Sequence, residues 1–426
     1  MALGWALYSV SYLAWRGLGG TSRLTLFLVQ GCFLALGMFG YLRKSEAVPK
    51  SPCSQTQDSS GSRLFSIFFL ASLGMGLLSS GIFCLRWPHG GWDGWAIWTM
   101  RARFLFRSGA YWHETFTNLN AWSHPDYPLL LPGTIAALWT ALGRESIRVP
   151  NGVAFLAMGL VLMALASSVG ERRGRFQGAL AGLALSGCAF FWQSGRGMTA
   201  DVPLSLFILL AVVCAHLTAL TSTSLRWPLL TGFFAGCAGW TKNEGCVFFV
   251  LFSLLFMGWA LQTKALRALK YFLLSAVPWG ILFGIFKLML APRTEMVPAG
   301  KESMVAVYLQ DPHRLFFILK SWLLYIERFG DHIPLLLVLY AFLVGGFSKP
   351  TQRWKLDLWV IGAMGTTYTV AYWITPYDIA WHMSVTADRF ILQIWPTVLF
   401  AFFTRVNSPT LFTSSVDSGS TSSANA

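Results

Sequence analysis

Charge is what this sequence has least of. Lys, Arg, Asp and Glu together make up 12% of the 426 residues, against 55% that are hydrophobic. A soluble globular protein usually carries about 25% charged residues. The shortage excludes a single water-soluble domain, which could not hide so much apolar surface. Cysteine pairs are missing as well. Cys32, Cys53, Cys84, Cys188, Cys214, Cys237 and Cys246 are an odd, scattered set with no CxxC, and six of them lie in or beside apolar stretches. A disulfide framework and a cysteine zinc site are therefore set aside, and these residues read as small hydrophobes. No two histidines have HExxH or comparable ligand spacing. No internal repeat is visible. The first apolar stretch lacks a basic n-region and a small-residue cleavage site, so it is expected to stay as the first helix. The formal charge of +14 is not gathered into one polar domain, and nucleic acid is not expected as a partner.

What the chain does have is apolar blocks near bilayer length. They predict an all-α polytopic membrane protein with about twelve spans, near 2–15, 24–42, 64–85, 147–168, 177–193, 203–220, 229–241, 245–261, 271–290, 332–346, 358–374 and 389–404. The stretch 128–142 is apolar but short and carries Pro128, Pro132 and Gly133. It reads as a re-entrant or interfacial helix. Twelve spans with both termini inside leave six cytoplasmic segments holding 15 of the 32 Lys/Arg but only 5 of the 18 acids. That bias follows the positive-inside rule and points to an integral membrane protein with both termini cytoplasmic.

Two outer segments, about 86–148 and 291–331, are too long to be mere connectors and read as functional. The first is rich in tryptophan. Trp92, Trp95 and Trp98 recur every third residue, as expected of a helix lying in the headgroup layer. Six of the seven histidines (His89, His113, His124, His313, His332, His382) fall in outer segments, with polar interface residues as their default role. The serine-rich end from Thr413 to Ala426 has almost no apolar content and is expected to be disordered.

The residues able to do chemistry cluster at the outer boundary. Asp93, within Trp92-Asp93-Gly94-Trp95, is costly to desolvate unless it has a partner or a task. A helix cap or an arginine's partner is the plainer alternative. Arg101, Arg103 and Arg107 follow, then His124-Pro125-Asp126-Tyr127-Pro128, whose two prolines hold an extended backbone. Asp201 sits before Val202-Pro203, a good helix start where it could simply cap free N–H groups. Lys242 and Glu244 interrupt an apolar run at Thr241-Lys242-Asn243-Glu244-Gly245. There they could meet an anionic headgroup or phosphate, or pair with each other at the interface. The last outer segment holds His382, Asp388 and Arg389. Arg389 offers a planar donor fork to a phosphate, or a partner to Asp388 or Asp378.

An aspartate outside an early span, an Arg-bearing Leu105-Phe106-Arg107-Ser108-Gly109 helix, His124-Pro125 through Pro132, Ala200-Asp201-Val202-Pro203-Leu204 and the Lys-Asn-Glu-Gly interruption occur here in order and on one side. Over roughly residues 64–404 this pattern resembles the GT-C superfamily of integral-membrane glycosyltransferases. The nearest look is to bacterial relatives of the protein O-mannosyltransferases, the lipid A aminoarabinose transferase and the Rgt-type lipopolysaccharide core transferases. The resemblance implies a sugar taken from a polyprenyl-phosphate donor and placed on a lipid, glycan or protein acceptor at the outer face. It implies Asp93 as the catalytic acid of the first loop, Asp201 as a second acidic position, Lys242 as the lysine of a "KG"-like turn, and Arg389 as a phosphate contact. In the family the acid usually follows the first span, whereas here two extra apolar segments come first, and Asp93 is followed by Gly94 rather than a second acid.

Such a transfer needs positive charge around the leaving phosphate and one base for the acceptor hydroxyl. Asp93 is the expected base in an inverting reaction, and Asp201 a positioning or metal-assisting acid. Arg101, Arg103, Arg107, His124, Tyr127, Lys242, Glu244, His382 and Arg389 are the substrate- or phosphate-binding candidates. No particular cofactor is implied, and a divalent cation stays open. The expected organisation is two extra spans with a linker (1–63), a catalytic membrane module (64–404) and a cytoplasmic tail (405–426). A transporter or flippase is the competing class, and it would favour repeated halves and mid-membrane charges. A non-catalytic envelope scaffold is the third, and it would tolerate neutralising Asp93.

Overall fold

A computed structural model describes residues 2–42, 60–221, 224–292, 302–347 and 355–409. Cys53, the serine-rich tail from Thr413 and most of the 43–63 linker lie outside the described residues. Within them the regular structure is helical, with one isolated bridge between Phe347 and Val406. The helices are α1 Ala2–Gly17, α2 Arg23–Leu42, α3 Ser60–Arg86, α4 Met100–Arg107, α5 Leu130–Leu142, α6 Arg148–Arg173, α7 Arg175–Ser186 and α8 Ala189–Arg196. They continue as α9 Asp201–Leu220, α10 Arg226–Gly239, α11 Asn243–Gln262, α12 Leu266–Ile285, α13 Glu302–Leu309, α14 Pro312–Leu343, α15 Leu356–Ile374 and α16 Ile379–Phe403.

Six of the described helices are long and apolar enough to cross a bilayer: Gly61–Arg86, Arg148–Arg173, Asp201–Leu220, Asn243–Gln262, Leu266–Leu290 and Ile379–Phe403. The sequence reading counted about twelve, and part of the difference has local causes. The expected span at 177–193 is two short helices, α7 and α8, parted at Gly187–Cys188. There the Trp192 indole donates to the Ser186 carbonyl at 2.7 Å and closes the end of α7. α1 has 16 residues and α10 has 14, short of the ~20 that a bilayer core demands.

Two outer segments also shrink. Much of 291–331 is helical, because Asp311 accepts from the His313 and Arg314 amides ahead of Pro312 and starts α14 early. α14 breaks at Phe329–His332, where Gly330, Asp331 and His332 all have positive φ. Likewise α16 begins ten residues before the expected span at 389, since Asp378 accepts from the Trp381 amide at 2.8 Å. His382, Asp388 and Arg389 therefore ride on a helix rather than a loop.

α9 forms the centre of the bundle and packs against α10, α16 and α6. Of its apolar stretch 78% is buried, against 17% for α3 at the periphery. Between apolar helices in lipid the gain comes from close van der Waals packing, since lipid tails are as apolar as leucine. The start of α9, the α10–α11 turn and the middle of α16 meet at one end of this core. The loop before α4 covers them.

Candidate active site

Helix period decides what α16 presents. Arg389 and Gln393 are four residues apart and so share a face, and both reach Asp201 on α9. The Arg389 Nε donates to Asp201 Oδ2 at 2.8 Å, and the Gln393 amide donates to Oδ1 at 2.7 Å. The Arg389 Nη2 turns the other way and donates to Asp93 Oδ2 at 2.6 Å. One guanidinium thus bridges two carboxylates from distant parts of the chain. Lys242 completes the group, with its Nζ 3.1 Å from Asp201 Oδ1 and 2.9 Å from Glu244 Oε1. Asp201 is not a capping residue; its side chain is fully buried and spent on these three partners.

Two glycines allow the approach. A Cβ on Gly94 would sit 2.8 Å from the Gly197 carbonyl oxygen, so only glycine lets the Asp93 turn lie against the α8–α9 connection. A Cβ on Gly245 would fall 1.9 Å from the Ala238 carbonyl oxygen, which the tight Lys242–Glu244 turn could not accommodate. The Leu130 amide donates to the Trp240 carbonyl at 2.9 Å and ties the proline-bounded segment to the same turn.

Tyr127 and His124 lie beside the cluster. Their rings stack at 4.8 Å, and Lys242 Nζ stands 5.9 Å from the Tyr127 ring centre. Burial, then the nearby Glu244 and Asp126, push the Tyr127 phenol well above its usual pKa, so it stays protonated and can only donate or accept a hydrogen bond. Burial alone would pull the Lys242 ammonium down, but Asp201 and Glu244 outweigh it and hold the pKa above the usual lysine value. His382 is buried among Tyr372, Tyr377 and Trp381.

The three early arginines are spent elsewhere. Arg101 is fully buried and donates to the Pro125 and Tyr127 carbonyls. Burial lowers its pKa to about 10. It holds the proline-bounded segment in place rather than reaching the acids. Arg103 and Arg107 both pair with Glu145 in the connection before α6. The tryptophan repeat also divides: Trp92 and Trp95 are exposed around Trp122, whereas Trp98 is buried and stacks on Tyr127 at 5.8 Å.

Sequence reasoning passed over four residues. Gln393 is one; a lone amide inside the apolar Phe390-Ile391-Leu392-Gln393-Ile394 run was its signal. The others form a strut below the cluster. Asn243 donates to Asp126 at 2.6 Å, and Lys287 donates to both Asn243 and the Asp126 carbonyl at 2.6 Å. Among the described residues, no three His, Cys, Asp or Glu side chains come together as a metal-ligand group.

A small set of acids held by shared cations at one end of a helical bundle suits transfer of a group that leaves as an anion. Residues 123–292 match the family model described as dolichyl-phosphate-mannose-protein mannosyltransferase. Over that stretch the chain is similar to this family. The family belongs to the GT-C membrane glycosyltransferases and uses a lipid-phosphate sugar donor. The match spans about two fifths of the chain. It includes His124, Tyr127, Asp201, Lys242 and Glu244, and leaves Asp93 and Arg389 outside. No curated protein and no solved structure matches the chain.

Proposed function

We propose that this chain transfers a sugar from a polyprenyl-phosphate donor to an acceptor hydroxyl at the outer membrane face, with inversion, and that Asp93 is the general base. One observation carries the choice of base. Of the two carboxylates bound to Arg389, Asp201 is fully enclosed and bound by Lys242, Arg389 and Gln393, whereas Asp93 is 17% exposed and bonded through one oxygen. Only Asp93 keeps an oxygen able to take a proton from an incoming hydroxyl. Asp201 then acts as the positioning acid that fixes Arg389 and Lys242.

The cations have donors to spare. Lysine has three N–H groups and arginine five, and two on each are engaged by the acids. The remainder can hold the departing lipid phosphate. This would be the larger catalytic contribution, because charge developing in a water-poor site is strongly felt. Phosphate leaves as a stable anion, so no strong general acid is needed. The matched family takes mannose to protein, and polyprenyl-phosphate mannose with a serine/threonine peptide is the first substrate pair to test. The Lys/Arg bias supports both termini lying in the cytoplasm, and the resemblance to bacterial enzymes supports a bacterial inner (plasma) membrane.

The test is turnover of radiolabelled donor by the reconstituted protein and its Asp93→Asn variant. General-base loss should reduce transfer by about 10²–10⁴-fold, with unchanged thermal unfolding. Full turnover in that variant would remove Asp93 from the chemistry. A second reading makes Glu244 the base, favoured by its Oε2, which is buried with no hydrogen-bond partner among the described residues. Glu244→Gln would then be the inactive variant and Asp93→Asn the active one.

A further inference from the structure

Far from the acids, at the other end of α9, the turns α9–α10 and α11–α12 enclose a cavity of about 540 Å³. α9 has 20 residues, so this cavity lies about 30 Å from Asp201, and the transfer reaction makes no use of it. Lys264 and Arg267 line it with Ser224, Thr221 and Tyr271, and none of the described lining residues is acidic.

Two helices begin at its wall. α10 starts after Leu225 and α12 after Ala265, and neither residue supplies a side-chain cap. The first N–H groups of both helices therefore lack intrahelical partners. α10 and α12 pack together and leave the cavity in the same direction, which brings two positive helix ends to one place. Ser224 is an independent sign. The residue is 7% exposed, it lines the cavity, and its hydroxyl has no hydrogen-bond partner among the described residues. A buried hydroxyl left unmatched is unfavourable, and an oxyanion in the cavity would satisfy it.

We propose that this cavity holds the phosphate of an anionic membrane lipid, gripped by Lys264, Arg267, the Ser224 hydroxyl and the two helix ends. A lipid is favoured over free phosphate by position. Three of the four helices around the cavity are candidate spans, which sets the cavity at headgroup depth. Leu220, Leu261 and Leu266 are exposed nearby, with 41%, 55% and 61% of their surface open, ready to meet acyl chains.

Native mass spectrometry of the full-length protein, titrated with phosphatidylglycerol, phosphatidylcholine or inorganic phosphate, tests this. Wild type should retain one phosphatidylglycerol more than Lys264→Gln/Arg267→Gln, whose binding should be about tenfold weaker for each charge-assisted hydrogen bond removed. Ser224→Ala, nearly isosteric and neutral, should weaken retention several-fold and guards against misfolding of the double variant. Transfer activity in fixed micelles should be the same in all three proteins. Equal lipid retention by wild type and both variants would overturn the site. Phosphate that displaces the lipid at equal concentration would overturn the lipid assignment.

Discussion

Two buried aspartates, one at each end of the bundle, have arginine partners and opposite characters. Asp357, in the first turn of α15, is 1% exposed and takes Arg405 through both oxygens, at 2.6 and 2.7 Å. That fork-to-fork pair also engages the backbone: Arg405 donates to the Ala401 carbonyl, and the Leu358 amide donates to Asp357. It fastens the end of α16 to α15, helped by Arg173 and Gln177, which donate to the Val406 and Asn407 carbonyls. Asp201 is equally buried, but its Arg389 is shared with Asp93 and its Lys242 with Glu244. One acid and one cation in full register make a clasp. Three acids strung on two cations leave oxygens and N–H groups uncommitted, and those are what a reaction can use.

The sharpest break in this comparison separates activity from stability. Asp93→Asn should remove transfer and leave the unfolding temperature alone, whereas Asp357→Asn should do the reverse. Removing the carboxylate charge opposite Arg405 should cost up to about 3–5 kcal/mol, read as a lower midpoint of thermal unfolding, with turnover per folded molecule unchanged. Loss of turnover in Asp357→Asn at full stability would dissolve the distinction between the two ends. Asp201→Asn should show both defects, since it strands Lys242 and loosens Arg389.

Smaller changes sharpen the picture. Gln393→Leu removes one neutral donor to Asp201 and should destabilise by about 1.5–3 kcal/mol, as for a hydrogen bond to a charged group. Turnover should fall only modestly, because Lys242 and Arg389 remain. A loss as large as that of Asp93→Asn would mean that Gln393 touches substrate. The smallest effect is expected at Glu145. Hydrogen bonding from Arg107, with Arg103 nearby, holds its pKa below the usual glutamate value. Its depressed folded pKa contributes stability that is present above the ordinary carboxylate range and lost as pH falls through the folded value. Comparing Glu145→Gln with wild type should give a difference below about 1 kcal/mol at neutral pH, as for exposed ion pairs, vanishing in acid. A difference that persists in acid would point to packing instead.

Much of the candidate site was legible because charge is so scarce here. Asp93, Asp201, Lys242, Glu244 and Arg389 stand out at the ends of apolar blocks, where an ionised group needs a compensating partner. The partner was not legible. Arg101, Arg103 and Arg107 follow Asp93 within fifteen residues, yet backbone carbonyls and Glu145 engage them, while Asp93 is bound by an arginine 296 residues away. Proximity along a chain says little when helix packing selects the neighbour. Gln393 and Lys287 were passed over for a related reason: one polar residue in an apolar run reveals an address only when the facing helix is known.

Composition and block length alone determined that this chain is helical and membrane-embedded, since a bilayer accepts no spanning backbone whose polar groups lack internal hydrogen bonds except helices and closed barrels. They also marked which charges had to be accounted for. Only the tertiary structure decided which charges answer one another, where helices such as α7 and α14 break, and which carboxylate keeps an open oxygen. Those outcomes depend on distances of about 3 Å between elements far apart in the chain, and no local pattern encodes them.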